Sequence, residues 1–193
     1  MKNVEDLPTI AFETQQDWEA WLQEHHIEAK GIWLKIAKKG TGSISVSYAE
    51  ALEGALCYGW IDGQKASFDE KYWLQKFTPR RPKSMWSKVN CDKATLLIAE
   101  GRMQPEGLRQ VERAKADGRW EQAYEGQRKI TVPPDLQSEL DKNPGAQAFF
   151  NTLDSTNRYA ILFRIHTAKK AETRAARIQK FVEMLAKNEK IHP

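Results

Sequence analysis

The apolar pattern of this 193-residue chain changes its period along the sequence, and this change constrains the fold more than any other feature. Residues 32–36 place isoleucine or leucine at every second position, which is typical of a strand with one buried face. Further strands are predicted to begin at Trp60 and to cover residues 72–77. Beyond Pro134 the apolar residues recur with helical spacing. The sequence therefore predicts an α+β protein, with a small antiparallel sheet packed with helices in the N-terminal two-thirds and an all-helical C-terminal part.

Two helix starts are marked by capping residues. Thr14 precedes a helix with tryptophans at helical spacing, and Ser47 with Glu50 forms a capping box in front of a second helix. We divide the chain into an α+β domain over residues 1–128 and a helical subdomain over residues 129–193.

Glycine and proline mark the connections around the predicted sheet. Asp62-Gly63 is interpreted as a turn between two strands, because glycine readily adopts a positive φ angle. Pro79 and Pro82 lack the amide hydrogen that a central strand needs. We therefore expect a constrained connection to lead from the sheet towards Ser84.

The positive charge of the chain is concentrated in two segments. Residues 62–88 contain seven Lys/Arg and three Asp/Glu, and residues 169–190 have the same balance, whereas the whole chain has a formal net charge of +4. A local positive potential attracts phosphates, carboxylates, nucleic acid or anionic lipid headgroups. Solvated helix and loop surfaces would give the same pattern.

The first basic segment also carries aromatic and neutral polar side chains. Tryptophan supplies flat amphipathic surfaces, arginine supplies forked donors for anions, and serine and asparagine supply neutral hydrogen bonds. We expect Arg80 and Arg81 to be open to water and dispensable for stability. The predicted ligand-binding residues are Trp60, Asp62, Arg80, Arg81, Ser84, Trp86, Ser87 and Asn90.

Each of these residues also has a purely structural interpretation. Trp60 fits a core position, Asp62 a turn, and Ser84, Ser87 and Asn90 a helix cap. Arg80 or Arg81 fits an ion pair with a nearby carboxylate such as that of Asp62.

A second basic surface is predicted near the C-terminus, where Lys170, Arg174 and Arg177 share one helical face and Lys169 precedes them. The alternative is an ordinary solvated stripe opposite the apolar face of the same helix.

Four segments together resemble one family: Ala55-Leu-Cys-Tyr-Gly-Trp-Ile-Asp-Gly63, Phe77-Thr-Pro-Arg-Arg81, Ser84-Met-Trp-Ser-Lys-Val-Asn90 and Ala168-Lys-Lys-Ala-Glu-Thr-Arg-Ala-Ala-Arg-Ile178. They are similar to the bacteriocin-protection, YdeI/OmpD-associated family, over about Phe12 to Leu185. The resemblance implies a bacterial protein linked to tolerance of bacteriocins and cationic antimicrobial peptides, without a settled chemical activity. Asn188 stands where the family usually has a glycine after the last helix.

The sequence favours a cytoplasmic location. Residues 1–8 lack the apolar stretch of a secretory signal, and no apolar run approaches the length of a membrane-spanning helix. Cys57 and Cys91 are too few for a disulfide framework and have no zinc-ligand spacing, so we expect no metal and no cofactor. The oligomeric state is left open.

Binding is favoured over catalysis. The chain lacks a nucleophile elbow, a zinc-protease motif, a phosphate loop and a dinucleotide fingerprint. Its four histidines are not expected to form a cluster, because the adjacent His25 and His26 point apart at a helix end and the other two lie far along the chain. The leading hypothesis is a cytosolic binding module for an anionic small molecule or an acidic protein surface. The alternatives are a nucleic-acid-binding protein and, less favoured, an enzyme of unrecognised type, for which Cys57 is a conceivable nucleophile.

Overall fold

The computed structural model describes residues 7–193 and divides the chain into two compact units. The N-terminal unit runs to Trp86 and includes Asn90–Ala123, and the C-terminal unit comprises Ser87–Val89 and Tyr124–Pro193. Each unit surrounds its own apolar core. The domain boundary predicted at residue 128 stays a prediction. Residues 1–6, on which the predicted lack of a secretory signal partly rests, lie outside the described residues.

The N-terminal unit contains a four-stranded sheet. Its strands are β1 (Thr9–Ala11), β2 (Ile32–Ala37), β3 (Trp60–Ser67) and β4 (Tyr72–Pro79), in the order β1-β2-β4-β3. The β2–β4 and β3–β4 pairs are antiparallel, but β1 pairs with β2 in parallel. The predicted α+β class is confirmed. The sheet is mixed where the sequence predicted an antiparallel one, because the helix between β1 and β2 returns the chain to start β2 in the same direction.

Helices α1 (Gln15–His25), α2 (Tyr48–Cys57), α3 (Lys88–Ala99) and α4 (Pro105–Ala116) follow the order of the chain. Thr14 and Ser47 each form a complete capping box in front of α1 and α2. One face of the sheet is buried in the core of the unit. The core includes Trp18, Leu22, Ile32, Leu34, Ile36, Leu52, Ala55, Leu56, Trp60 and Phe77.

The Asp62-Gly63 pair does not form the predicted turn. Strand β3 continues through it to Ser67, and the register with β4 shifts between Asp62 and Lys65. The chain reverses at residues 68–71, where the Asp69 carboxylate accepts the amide hydrogens of Lys71 and Tyr72. Between Asp62 and Lys65, β3 has one residue more than β4, and this extra residue forms a β-bulge. The Asp-Gly pair is therefore part of a bulged strand and not of a turn.

Glycine permits a close approach between α2 and α4. A Cβ atom added at Gly107 would lie 2.2 Å from the carbonyl oxygen of Cys57 and 2.7 Å from that of Leu56. Only a residue without a side chain allows α4 to contact the C-terminal carbonyls of α2. This contact fixes the start of α4 beside the end of α2.

The C-terminal unit is helical, with α5 (Pro134–Asp141), α6 (Pro144–Thr152), α7 (Ser155–His166) and α8 (Ala171–Ala186). Its core comprises Leu136, Leu140, Ala146, Phe150, Ile161, Leu162, Ile165, Ile178, Phe181, Val182 and Leu185. Asn188, which replaces the glycine usual in the resembling family, has a φ of 57° just after α8. Asparagine tolerates this left-handed conformation better than other non-glycine residues, so the helix ends in the usual way.

Within residues 7–193, no helix combines the length and the apolar character that crossing a bilayer requires.

Candidate functional site

The predicted binding residues are centred on the segment that leaves β4. The backbone amide of Arg80 donates to the Gly59 carbonyl at 3.0 Å, which extends the pairing between β3 and β4. The Arg80 side chain then turns inward and is only 6 % exposed. Its Nη1 donates to the Met85 carbonyl at 3.2 Å, and its Cζ lies 3.6 Å from the centroid of the Trp86 ring. The expectation that Arg80 is open to water is wrong.

Both predicted tryptophans are core residues. Trp60 is 1 % and Trp86 is 2 % exposed. The Trp60 Nε1 donates to the His26 carbonyl at 3.1 Å, and the Trp86 ring packs against Trp120 with 5.0 Å between centroids. Neither indole therefore offers the open flat surface expected of a ligand-binding tryptophan.

Arg81 differs from Arg80 because it is exposed on a fixed turn. Its backbone amide donates to the Ser84 Oγ at 2.9 Å, and the Ser84 amide donates back to the Arg81 carbonyl at 2.9 Å. We call Arg81–Ser84 the basic turn, since it also carries the exposed Lys83. No carboxylate in residues 7–193 forms an ion pair with Arg81 or Lys83.

A second buried arginine, Arg119, holds the basic turn through a hydrogen bond to its backbone. Arg119 donates from Nη1 to the Ser84 carbonyl at 2.7 Å, and its Nε lies 2.8 Å from the Asp117 carboxylate. The turn is therefore held through its own hydrogen bonds and through a side chain from outside the segment. Two positive side chains project from a backbone with little freedom to lose on binding.

The remaining predicted residues, Asp62, Ser87 and Asn90, lie on other elements than the basic turn. Asp62, in β3, accepts a hydrogen bond at its Oδ2 from the Tyr48 hydroxyl at 2.8 Å. Ser87 is buried and pairs with Tyr124 in the C-terminal unit, whereas Asn90 is buried in the first turn of α3. The structure thus brings Arg80, Arg81, Ser84 and Trp86 together around one turn.

The predicted C-terminal basic surface is not an open stripe. Arg174 pairs with the Asp135 carboxylate and donates from Nη1 to the Ile165 carbonyl at 2.9 Å. Arg177 donates to the Arg164 carbonyl. Both arginines donate to carbonyls in the last turn of α7, where the Ile165 carbonyl also accepts from the Ala168 amide at 3.2 Å. Lys169 and Lys170 are exposed, so only they keep the predicted open character.

Two family models match the chain. Residues 10–110 match the family described as a domain of unknown function (DUF8412), which covers more than half of the chain. Residues 129–188 match the family described as bacteriocin-protection, YdeI or OmpD-associated. The chain belongs to the DUF8412 family. Its C-terminal segment is similar to the bacteriocin-protection, YdeI or OmpD-associated family. No curated protein and no solved structure is significantly similar to it.

The second match confirms the family resemblance for residues 129–188, but not over the whole range from Phe12 to Leu185. The segment from Ala168 to Ile178 lies within residues 129–188, in the YdeI or OmpD-associated match. The three segments between residues 55 and 90 lie within residues 10–110, in the DUF8412 match. The basic turn is therefore a feature of the DUF8412 part of the chain.

The two cysteines are poorly suited to nucleophilic chemistry. Burial raises the pKa of the Cys57 thiol to about 11 and that of Cys91 to about 11. A thiol with such a pKa is almost wholly protonated near neutral pH, and the thiolate is the nucleophile. Within residues 7–193, no three His, Cys, Asp or Glu side chains are grouped to hold a metal ion.

The sequence did not predict a cleft of about 370 Å³ in the N-terminal unit. His26 and Tyr58 line the cleft, and so do Glu106 and Arg109 from the first half of α4. The charges of Glu106 and Arg109 offset each other, because their side chains form an ion pair at 3.1 Å. The cleft depends on the approach of α4 to α2, which involves residues some 50 positions apart and leaves no local sequence signal.

Proposed function

We propose that this protein is a cytoplasmic binding module whose N-terminal unit takes an anionic small molecule or an acidic partner at the basic turn. One observation carries the proposal: Arg81 and Lys83 are exposed on a hydrogen-bonded turn and form no ion pair with the described carboxylates. The cleft is a less suitable anion site, since Glu106 and Arg109 offset each other's charge.

The surroundings of the basic turn favour a pre-ordered site. Pro79 and Pro82 restrict the backbone, and the Ser84 side chain closes the turn. The guanidinium of Arg80, the residue before Arg81, adds positive charge to the segment. It also donates a hydrogen bond to the Met85 carbonyl and so holds the residues that follow the turn. An anion that binds here meets donors that are already in place, which lowers the entropic cost of binding.

The cytoplasmic location is supported by the thiols. Cys57 and Cys91 are both free, as is usual for proteins of a reducing compartment. From such a location the protein would contribute to bacteriocin protection indirectly, through the ligand that it binds. Direct capture of a cationic peptide at the basic turn is disfavoured by like-charge repulsion.

The proposal is tested by isothermal titration of the full chain with pyrophosphate and, separately, with a short polyglutamate peptide. The Arg81→Ala/Lys83→Ala double variant is compared with the wild type and with Lys38→Ala/Lys39→Ala, which removes two exposed lysines of another loop. We expect the first variant to weaken binding about tenfold or more and the control to stay within about twofold. Equal affinities for all three proteins, or no binding by the wild type, would refute the proposal.

The nucleic-acid alternative has one observation in its favour. On the sheet face opposite the core, the Lys76 Nζ lies 5.9 Å from the Trp33 ring centroid and the Lys35 Nζ lies 4.3 Å from that of Phe68. Paired lysines and aromatic rings suit single-stranded nucleic acid. A labelled thymidine oligonucleotide should then bind with an affinity that falls log-linearly with salt. Absence of binding at low salt removes this alternative.

A further inference from the structure

A second cluster of aromatic and charged side chains lies at the far end of β3 from Trp60. The Lys65 Nζ is 5.3 Å from the Tyr48 ring centroid and 5.0 Å from the Trp73 ring centroid. The two rings are 6.2 Å apart and inclined at 45°. We call the pair of rings, Tyr48 and Trp73, the aromatic cage, and the Lys65 ammonium lies over both of them.

The walls of the aromatic cage are fixed by the fold. Tyr48 is the first residue of α2, directly after the Ser47 cap, and Trp73 is the second residue of β4. Both rings are partly buried against the N-terminal core. Only their outer parts remain accessible, so the cage is a built feature and its walls do not have to be ordered on binding.

The bulge in β3 decides which side chain enters the cage. From Asp62 to Lys65 the chain advances by three residues, while the partner strand advances by two, from Phe77 to Gln75. Without the extra residue, Lys65 would point to the opposite face of the sheet, because side chains alternate along a strand. The bulge therefore directs an ammonium group to the aromatic walls.

Asp62 holds one wall of the aromatic cage in place. Its Oδ2 accepts a hydrogen bond from the Tyr48 hydroxyl at 2.8 Å, which orients the ring and places a carboxylate beside the wall. Aromatic faces grouped around one cation are the recurring arrangement for alkylammonium recognition in proteins. Arginine or lysine on a single ring is common, whereas two converging walls are more selective.

We propose that the aromatic cage is a binding site for an alkylammonium group, and that Lys65 is an intramolecular occupant which an incoming cation displaces. The ligand is either a small quaternary amine or a lysine side chain of a peptide, since both present the same group to the rings. This site is separate from the basic turn and takes the opposite charge, so its failure would leave the proposed function untouched.

The test uses the full chain with tetramethylammonium chloride, titrated at constant ionic strength against sodium chloride and followed by the tryptophan indole N–H resonances. Lys65→Ala removes the internal occupant, and Lys71→Ala, which removes an exposed lysine from the β3–β4 reversal, is the control. We expect Lys65→Ala to bind about tenfold more tightly than the wild type and Lys71→Ala to match the wild type.

The walls are tested in the Lys65→Ala background. Tyr48→Leu or Trp73→Leu should remove tetramethylammonium binding, and circular dichroism identifies the variant that keeps its fold. A blocked lysine, compared with blocked norleucine, shows whether a peptide side chain is also accepted. The proposal is overturned if Lys65→Ala binds no more tightly than Lys71→Ala, or if a folded wall variant binds as well as its parent.

Discussion

Arg80 and Arg81 are adjacent in sequence but have different roles. Arg80 is buried against Trp86 and bonded to the Met85 carbonyl, whereas Arg81 is exposed on the basic turn. Loss of a buried, hydrogen-bonded cation that also packs on an indole ring removes several contacts at once. Surface arginines away from such contacts contribute little to stability.

We therefore predict that Arg80→Ala lowers the free energy of unfolding by about 2–4 kcal/mol, while Arg81→Ala changes it by less than about 0.5 kcal/mol. Urea denaturation followed by far-ultraviolet circular dichroism measures both values. If the two variants are equally stable, the packing of Arg80 has no energetic weight.

The sequence could not separate these two arginines. Their residue type, the flanking prolines and the local charge are the same for both, and their difference depends on where Trp86 packs. Trp86 is buried beside Trp120, a contact between positions 34 residues apart. Similarly, Trp60 is buried against Trp18 and Trp21, which lie far from it in the sequence. Local patterns identified the segment, but they could not predict which of its side chains are buried.

The contact between α2 and α4 is the closest of those made at the described glycines. A methyl group at Gly107 would overlap the Cys57 and Leu56 carbonyls, which are backbone atoms at the end of α2. Gly107→Ala should therefore lower the free energy of unfolding by about 2–4 kcal/mol, because one of the two helices has to shift.

Gly145 in α6 is the matched control for Gly107. Nothing lies within 4 Å of a Cβ atom built there, so Gly145→Ala should be neutral or stabilising by up to about 1 kcal/mol. The same urea titration compares both substitutions. A neutral Gly107→Ala would contradict the close approach of α2 and α4.

Helix α7 depends on α8 for its last turn. Arg174 donates to the Ile165 carbonyl and pairs with Asp135, so Arg174→Ala should lower the free energy of unfolding by about 1–2 kcal/mol at pH 7. The exposed Lys170 is the control, and Lys170→Ala should have little effect. Thermal unfolding monitored at 222 nm checks both.

The pH dependence of this effect has a definite sign. The hydrogen bond from Arg174 lowers the pKa of the Asp135 carboxyl. The stabilising contribution of a carboxylate with a lowered pKa is present above its unfolded pKa of about 4 and is lost as the pH falls through the folded value. The stability difference between wild type and Arg174→Ala should therefore shrink below about pH 4. A difference that grows on acidification would exclude the ion pair as its source.

At the scale of the molecule, periodicity predicted the fold class but not the sheet topology. Helical spacing beyond Pro134 and the capping boxes at Thr14 and Ser47 are local signals, and the structure confirms the α+β class. The parallel strand β1 has three residues and too short a pattern to detect. This strand pairs with β2 although the whole of α1 lies between them in the chain, and a short stretch of sequence carries no signal for such a pairing.

The binding proposal concerns one surface of the N-terminal unit. The basic turn has an unmatched positive charge, the cleft has balanced charges, and the aromatic cage favours a cation. A pyrophosphate titration should thus distinguish these three places within a single protein, because they differ in the sign of the charge that they attract.

The most direct test maps the amide resonances of the isotope-labelled full chain during titration with pyrophosphate. We predict saturable shifts that are largest for Arg81, Lys83, Ser84 and Met85, whereas the resonances of His26, Tyr58 and Lys65 change little. Shifts centred on the cleft or the aromatic cage, or no saturable shift at any residue, would contradict the account.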